Sequence, residues 1–138
     1  MSLRFSLNWE NLDNYRRYLA SAMPKEFEES MDEALDKTAD DARDRAKQLV
    51  SVDTRSLQKS IRKESYARPA GNIHYRGIRA GGYVVNPKTG RIVDYAAYVE
   101  YGTSRQRPQP YMRPALIWAS RRIEGYFWKA LSRRVRVE

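Results

Sequence analysis

Hydrophobic and polar residues alternate with two different periods along this chain, and the change of period separates helical segments from strands. In residues 24–50, apolar or small side chains return every three or four positions, and acidic side chains occupy the faces between them. This period is typical of a long amphipathic helix. A similar stripe follows Pro114, a residue that suits the first position of a helix, and it predicts a C-terminal helix over 114–135.

Strands are predicted where apolar and polar residues alternate one by one. Leu3, Phe5 and Leu7 form such a pattern, which indicates an edge strand, and a short helix is expected after it within residues 1–23. Residues 61–101 contain several β-rich stretches separated by turn-forming Gly, Pro and Asn. We therefore predict an antiparallel β-meander there.

A short helical turn is predicted between the long helix and the meander, through Leu57 and Ile61, with Asp53 or Thr54 as its cap. Chain length and pattern together predict a single α+β domain over 1–138. In this fold, two principal amphipathic helices pack on a small antiparallel β-sheet, and a long proline-rich loop connects the sheet to the last helix.

The proline-rich loop over 102–113 is the segment best suited to contact a partner. Its prolines fix φ and remove backbone donors, which predicts a stiff, extended conformation outside the sheet. A stiff segment loses little conformational entropy when a partner docks. The predicted interaction residues are Gly102, Thr103, Arg105, Arg107, Pro108, Pro110, Tyr111 and Arg113. The alternative is a solvated loop that only links sheet and helix, since exposed arginines usually contribute little.

Aromatic residues on both sides of this loop are assigned to packing. Those before the loop are Tyr95, Tyr98 and Tyr101, together with Val99. Those after it are Trp118, Tyr126 and Trp128, whose helical spacing predicts partly buried positions on the last helix.

The residue types present exclude several kinds of chemistry. The chain has no Cys and one His, which excludes disulfides, thiol nucleophiles and histidine metal clusters. Asp36, Asp40 and Asp44 share a helix face, but interleaved basic residues favour a solvated face over a metal site. Asp94 and Glu100 lack the nearby lysine that a nuclease site would need. No catalytic, metal-binding or cofactor-binding residue is predicted.

Targeting signals are also missing from the pattern. No stretch approaches the roughly twenty apolar residues of a membrane span, and the first residues lack the apolar core of a signal peptide. These features predict a protein that is made and kept in the cytosol of its producer.

Charge is distributed unevenly between the two parts of the chain. Residues 1–50 carry 8 Lys/Arg and 11 Asp/Glu, a net charge of −3, whereas residues 51–138 carry 18 and 6, a net charge of +12. Such asymmetry suits head-to-tail assembly, in which an acidic face of one copy meets a basic face of the next. It also suits a basic nucleic-acid-binding module, which is the alternative function.

Two motifs in the C-terminal half resemble a known protein family. The first is Tyr95-Ala-x-Tyr-Val-Glu100-Tyr-Gly102-Thr103, and the second is Pro108-x-Pro110-Tyr-Met-Arg113-Pro114-Ala115, followed by a helix. With the upstream motif Val52-Asp53-Thr54-x-x-Leu57-x-x-Ser60-Ile61, they are similar to the tail-completion proteins of long-tailed bacteriophages and prophages. Members of this family are also described as minor tail, tail-component, neck or head–tail joining proteins.

The resemblance implies a non-enzymatic structural protein of the virion. It implies a hexameric ring at the end of the tail tube that presents the tail to the head connector, formed by a protein that can be monomeric in solution. The implied partners are copies of itself, tail-tube proteins and head-connector proteins, with nucleic acid contacted at most non-specifically and no membrane. The implied location is the tail or neck of the virion, after synthesis in the host bacterial cytoplasm.

The chain departs from the family pattern at two positions. Ser51 stands where the family usually has Pro, and Arg55 stands where it usually has Gly. Gly permits a positive φ that Arg tolerates poorly, so the turn at Arg55 is expected to take another form, with the helix beginning earlier.

Overall fold

The computed structural model describes residues 3–7, 24–50, 55–67, 74–82 and 84–135. Its elements are, in chain order, β1 (Leu3–Leu7), α1 (Pro24–Leu49), α2 (Ser56–Ser60), β2 (Arg62–Ala67), β3 (His74–Ala80), α3 (Ala96–Tyr101), α4 (Met112–Ser120) and α5 (Ile123–Arg134). Helices packed on a small antiparallel sheet confirm the predicted α+β class. The helix predicted within residues 1–23 and the predicted caps Asp53 and Thr54 lie outside the described residues.

The sheet has three antiparallel strands in the order β1-β3-β2, so β1 lies at an edge as predicted. Lys63 of β2 lies opposite Ile78 of β3, and residues paired in this way point to the same face. Ile78 and Ala80 are buried, while Arg76 of the same face forms salt bridges with α1. This face therefore packs on α1 with both apolar and basic side chains.

The central element is α1, whose bounds agree closely with the predicted 24–50. Its buried stripe contains four completely buried alanines, and small side chains let the neighbouring helices approach closely. These alanines are Ala34, Ala39, Ala42 and Ala46. The hydroxyl of Thr38 is buried beside these alanines. It donates a hydrogen bond to the carbonyl oxygen of Ala34 at 2.7 Å, so its polar group is satisfied within the helix.

The predicted C-terminal helix over 114–135 is wrong in two respects. It begins earlier, at Met112, and it is divided into α4 and α5. At the division, the N–H of Arg122 donates to the carbonyl oxygen of Ala119 at 3.0 Å, and this tighter three-residue bond ends the α-helical pattern. Beyond the division, α5 packs Phe127 on Phe27, Met31 and Ala34 in the N-terminal half of α1.

The antiparallel pairing predicted for the β-meander over 61–101 is observed up to residue 93 and not beyond it. β2 and β3 are paired strands, and residues 84–93 form a short antiparallel hairpin with an isolated bridge between Val85 and Ile92. The last part is the helix α3 and not a strand. Its buried residues Ala96, Ala97 and Glu100 follow helical spacing, so burial of this face decides the conformation of an aromatic-rich segment.

The turn before α2 also differs from the expectation. Arg55 has φ 59° and ψ −2°, which is the left-handed conformation that glycine adopts easily. The expectation that Arg55 would change the form of the turn is therefore wrong. Left-handed geometry costs a non-glycine residue roughly 1–2 kcal/mol, and burial of Leu57 and Ile61 directly after the turn offsets that cost.

Candidate functional site

The segment between α3 and α4, residues 102–111, is here called the α3–α4 loop. It is folded back on itself rather than extended as predicted. The N–H of Thr103 donates to the carbonyl oxygen of Gln106 at 2.9 Å, and the Thr103 hydroxyl accepts the N–H groups of Arg105 and Gln106 at 3.2 and 3.1 Å. At its base, the N–H of Gln109 donates to the carbonyl oxygen of Val99 at 2.8 Å. These bonds fix the loop against α3.

Gly102 is required at the start of this loop by both conformation and space. Its φ of 76° and ψ of 177° lie in a region that only glycine occupies readily. A Cβ atom at this position would lie 2.7 Å from the backbone nitrogen of Pro108 and 2.9 Å from the carbonyl oxygen of Gln106. The expectation that Gly102 supplies backbone freedom for the turn agrees with this geometry.

The side chain of Glu100 fixes the C-terminal end of the loop by hydrogen bonds. Its side chain is 3% exposed, and Oε2 accepts the N–H groups of Tyr111 at 2.7 Å and Met112 at 2.9 Å, while Oε1 accepts that of Arg113 at 3.0 Å. These N–H groups begin α4, where the first turn of a helix has donors without intrahelical partners. Pro114, next in the chain, has no N–H to satisfy.

A single buried carboxylate thus caps α4, and its negative charge also interacts favourably with the helix dipole. The cap explains why α4 begins at Met112, two residues before the predicted start. From the sequence, Glu100 was considered only as part of a nuclease carboxylate pair with Asp94, and no capping role was predicted for it. The available signal was a lone carboxylate inside an apolar segment, a short distance before a helix that has no capping side chain of its own.

Tyr111 was predicted as a contact residue, and the structure places it in the core. Its side chain is completely buried, and its hydroxyl donates to the carbonyl oxygen of Ala96 at 3.1 Å. Burial, together with the nearby Glu100 carboxylate, raises the pKa of Tyr111 well above its usual value. Tyr111 therefore supports the loop from the inside and does not belong to its contact surface.

The other predicted contact side chains face solvent. The exposed set is Thr103, Arg105, Arg107, Pro108, Pro110 and Arg113. Within the described part of the chain, none of these three arginines forms a salt bridge. The α3–α4 loop and the start of α4 therefore present cationic groups whose charge is not neutralised by described residues.

Two tyrosines that were assigned to packing are exposed instead. Tyr98 and Tyr101 are 51% and 61% exposed on the outer face of α3, whereas Tyr95 and Val99 pack against the core. Tyr98 and Tyr101 are three positions apart and so share a helix face. These two tyrosines and the loop arginines are all exposed, and both residue types are enriched in protein interfaces.

A shallow, open depression of about 410 Å³ adjoins the end of the loop. Its lining is Pro110, Arg113, Pro114, Ile117, Trp118 and Arg121. Trp118 is partly buried as predicted, and its ring lies 4.0 Å from the guanidinium carbon of Arg122 and 5.2 Å from that of Arg45. Trp128, by contrast, is 55% exposed, so its predicted partial burial is not observed.

Several carboxylates of α1 are paired with basic side chains of the β-sheet. Lys63 contacts Asp36 at 2.9 Å and Asp40 at 3.0 Å, and Arg76 contacts Asp32 at 2.8 Å. Burial opposes ionisation of Asp36, yet hydrogen bonds and charges from Lys63 and Arg76 keep its pKa below the usual value. The acidic face of α1 is therefore covered largely by the basic part of the same molecule.

The C-terminal helix α5 pairs with another carboxylate of α1, that of Glu33. Glu33 forms salt bridges with Lys37, Arg133 and Arg134. Its hydrogen bonds with Lys37 and Arg134 lower the pKa of Glu33 to about 2. The acidic and basic parts that sequence analysis assigned to neighbouring copies thus contact each other inside one chain.

Among the described residues, no group of three or more His, Asp or Glu side chains is placed to hold a metal ion. None of the described helices is long and apolar enough to span a membrane.

A comparison with family models gives one match, which covers residues 13–102 and therefore more than half of the chain. The matching family is described as "Bacteriophage HK97-gp10, putative tail-component". The match includes α1 to α3 and ends at Gly102, so β1 precedes it, and the rest of the α3–α4 loop and the last two helices follow it. Comparisons with curated proteins and with solved structures returned no match. On the family match, this chain belongs to the HK97-gp10-like family of phage tail components.

Proposed function

We propose that this protein is a non-enzymatic structural component of the neck or tail end, which completes the tail and joins it to the head during virion assembly. Membership of a tail-component family supports a place in the virion. The family match gives a phage tail component, and the role in joining the tail to the head is what we propose beyond it.

The observation that carries the proposal is the construction of the α3–α4 loop. Arg105 and Arg107 are exposed on a loop whose two ends are held by Gly102 and by the Glu100 cap. A loop fixed before binding loses little entropy on docking. Its cations can therefore contact acidic groups on a connector, a tail-tube protein or a neighbouring copy.

The proposed partners are copies of the same chain in a ring, with six copies in the virion, together with tail-tube and head-connector proteins. A ring requires a heterologous contact, in which different surfaces of neighbouring copies meet. The exposed pair Tyr98 and Tyr101 supports such a contact, because large aromatic side chains often dominate interface energies. Monomers in solution would then assemble only on the tail end.

Electron microscopy of a phage lysate tests the joining role. We expect deletion of the gene to give filled heads beside separate or irregular tails, and the wild-type gene supplied in trans to restore virions. A double variant, Arg105→Glu with Arg107→Glu, should fail to restore joining while its melting temperature stays close to that of the wild type. Lys129→Glu, at an exposed position on α5, is the matched control and should restore virions. Normal virions from the deletion would overturn the proposal.

A basic nucleic-acid-binding module is the second candidate, and the unneutralised arginines of the loop favour it. Binding that neutralises several phosphates weakens steeply with salt, with a logarithmic slope of about −0.9 per phosphate on duplex DNA. The joining role predicts weak, non-specific binding only. A steep salt dependence that disappears in the Arg105→Glu, Arg107→Glu variant would favour the nucleic-acid function.

A further inference from the structure

The depression beside the α3–α4 loop combines an apolar floor with a cationic rim. Pro110, Pro114 and Ile117 contribute apolar surface, with Trp118 beside them, and Arg113 and Arg121 complete the lining. Ile117 is 46% exposed, although it is an aliphatic residue on a helix that packs against the core. The volume lies toward the lower end of the range of about 300–1,000 Å³ that is common for pockets holding small ligands.

Charge complementarity defines what would fit this depression. Arg113 and Arg121 are exposed, and within the described residues neither forms a salt bridge. Arg122 and Arg45 lie against the Trp118 ring, and Arg122 also forms a salt bridge with Asp41 at 3.7 Å, so the rim charge comes mainly from Arg113 and Arg121. Asp32, Asp36 and Asp40 of α1 are already paired with Lys63 and Arg76, and among the described residues no carboxylate pairs with Arg113 or Arg121. An acidic group on another molecule would therefore complement these two arginines.

We propose that this depression receives an apolar side chain from an acidic segment of a partner protein in the tail joint. The inference rests on the proposed function, because it names the chemistry of the partner that the joining surface contacts. The apolar side chain lies against the proline rings, Ile117 and Trp118. Carboxylates on either side of it contact Arg113 and Arg121, whose planar guanidinium groups match carboxylate geometry.

The construction of α4 suits this use. The Glu100 cap fixes the backbone of Arg113, and Pro110 and Pro114 have few conformations to lose, so most of the depression is in place before a segment binds. Burial of an apolar side chain then adds affinity that depends on its size, while the arginines add affinity that depends on salt.

Nuclear magnetic resonance titration of the full-length protein tests the proposal, with the Trp118 indole N–H and the Ile117 methyl groups as reporters. The probe is the peptide Glu-Glu-Leu-Glu-Glu, and the matched peptides carry Ser in place of Leu or Lys in place of every Glu. We expect the leucine peptide to shift both reporters, the serine peptide to bind about tenfold more weakly, and the lysine peptide not to bind.

Variants test separately the apolar contribution to binding, assigned to Ile117, and the charge contribution, assigned to Arg113 and Arg121. Ile117→Ser should abolish the difference between the leucine and serine peptides, and this exposed position should tolerate the change without loss of folding. Arg113→Gln combined with Arg121→Gln should weaken both peptides by a similar factor, about fivefold. Lys129→Gln, which removes an exposed cation outside the depression, is the control and should leave both affinities unchanged.

Four outcomes would overturn the proposal. If the leucine peptide does not bind, the proposed docking site does not exist. If the leucine and serine peptides bind equally, no apolar side chain enters the depression and binding depends on charge alone. A single-stranded oligothymidylate of matched charge that shifts the reporters at lower concentration than the peptide would identify a nucleic-acid surface. Reporter shifts that depend on protein concentration alone would make the occupant a second copy of this chain.

Complementation of the deletion with one variant of the depression and one of the loop separates this inference from the joining role. If Ile117→Asp restores normal virions in a deletion lysate while the Arg105→Glu, Arg107→Glu variant does not, the depression is not part of the joint and the joining function stands. If both variants restore normal virions, the joining surface itself is wrongly assigned. Loss of joining in both supports the two proposals together.

Discussion

The acidic face of α1 and the α3–α4 loop are both highly charged, but the two regions use charge in opposite ways. On α1, Asp36 and Glu33 each contact at least two cations from elsewhere in the chain or from the next helical turn. On the loop, Arg105 and Arg107 are exposed, and no described carboxylate pairs with them. Between the two regions lies Glu100, a buried carboxylate whose partners are backbone N–H groups.

The difference separates charges that stabilise the fold from charges that remain available for a partner. Removing a carboxylate that is buried or well paired changes the free energy of unfolding, because its partners lose their compensation. Removing an exposed, unpaired cation changes that free energy little. The four predictions below test this distinction, in order of decreasing expected effect.

Glu100→Gln should give the largest loss of stability. Glutamine keeps the size of the side chain but replaces one acceptor oxygen with an NH₂ donor, so at least one of the three backbone N–H groups loses its partner. We expect a loss of about 3 kcal/mol, measured by urea unfolding. Glu124→Gln, at an exposed position in the first turn of α5, is the control and should cost less than about 1 kcal/mol. Similar losses for the two variants would contradict the role of Glu100 as a cap.

Gly102→Ala should be nearly as damaging. Its left-handed φ of 76° disfavours any side chain, and the added Cβ would collide with the backbone at Gln106 and Pro108. We expect a loss of about 2–3 kcal/mol, measured by thermal unfolding. Gly125→Ala is a sharp control, because nothing lies within 4 Å of the added Cβ. That change in the first turn of α5 should stabilise the protein by up to about 0.5–1 kcal/mol.

Sequence reasoning succeeded where structure depends on neighbours along the chain. The long helix α1 was predictable because its apolar period extends over 26 residues. The edge strand β1 was predictable because alternation alone indicates a strand with one buried face. The need for glycine at position 102 followed from the same kind of local argument, since a turn there requires unusual dihedral angles.

The candidate site was less predictable because its geometry depends on contacts between distant segments. Glu100 caps α4 across 11 to 13 positions, and no local pattern indicates which carboxylate will reach a helix start. The exposure of Tyr98 and Tyr101 depends on α3 turning Ala96 and Ala97 inward, in a segment that was predicted to belong to the meander. The pairing of acidic α1 with basic strands likewise depends on tertiary packing, so charge counts along the chain could not distinguish it from contact between copies.

The acidic face of α1 should make stability depend on pH through Glu33. Its pKa is about 2 in the folded state, against an ordinary value of 4.5, because Lys37, Arg134 and Arg133 bind the ionised form. A lowered pKa contributes stability that is fully present above pH 4.5 and is lost as the pH falls toward 2. Thermal unfolding of Glu33→Gln and the wild type at a series of pH values should therefore show curves that converge as the pH approaches 2. A constant difference at every pH would mean that Glu33 acts through packing and not through charge.

Arg105→Gln combined with Arg107→Gln should have the smallest effect on stability. Both guanidinium groups are exposed and unpaired among the described residues, so glutamine removes their charge without leaving a buried group unsatisfied. We expect the free energy of unfolding to change by less than about 0.5 kcal/mol, measured by urea unfolding beside Glu100→Gln. Circular dichroism and a normal melting curve would show that a defect of this variant in head–tail joining comes from the surface and not from misfolding. A loss of about 2 kcal/mol or more would instead mean that the arginines help to hold the loop, and the contrast with the carboxylates of α1 would disappear.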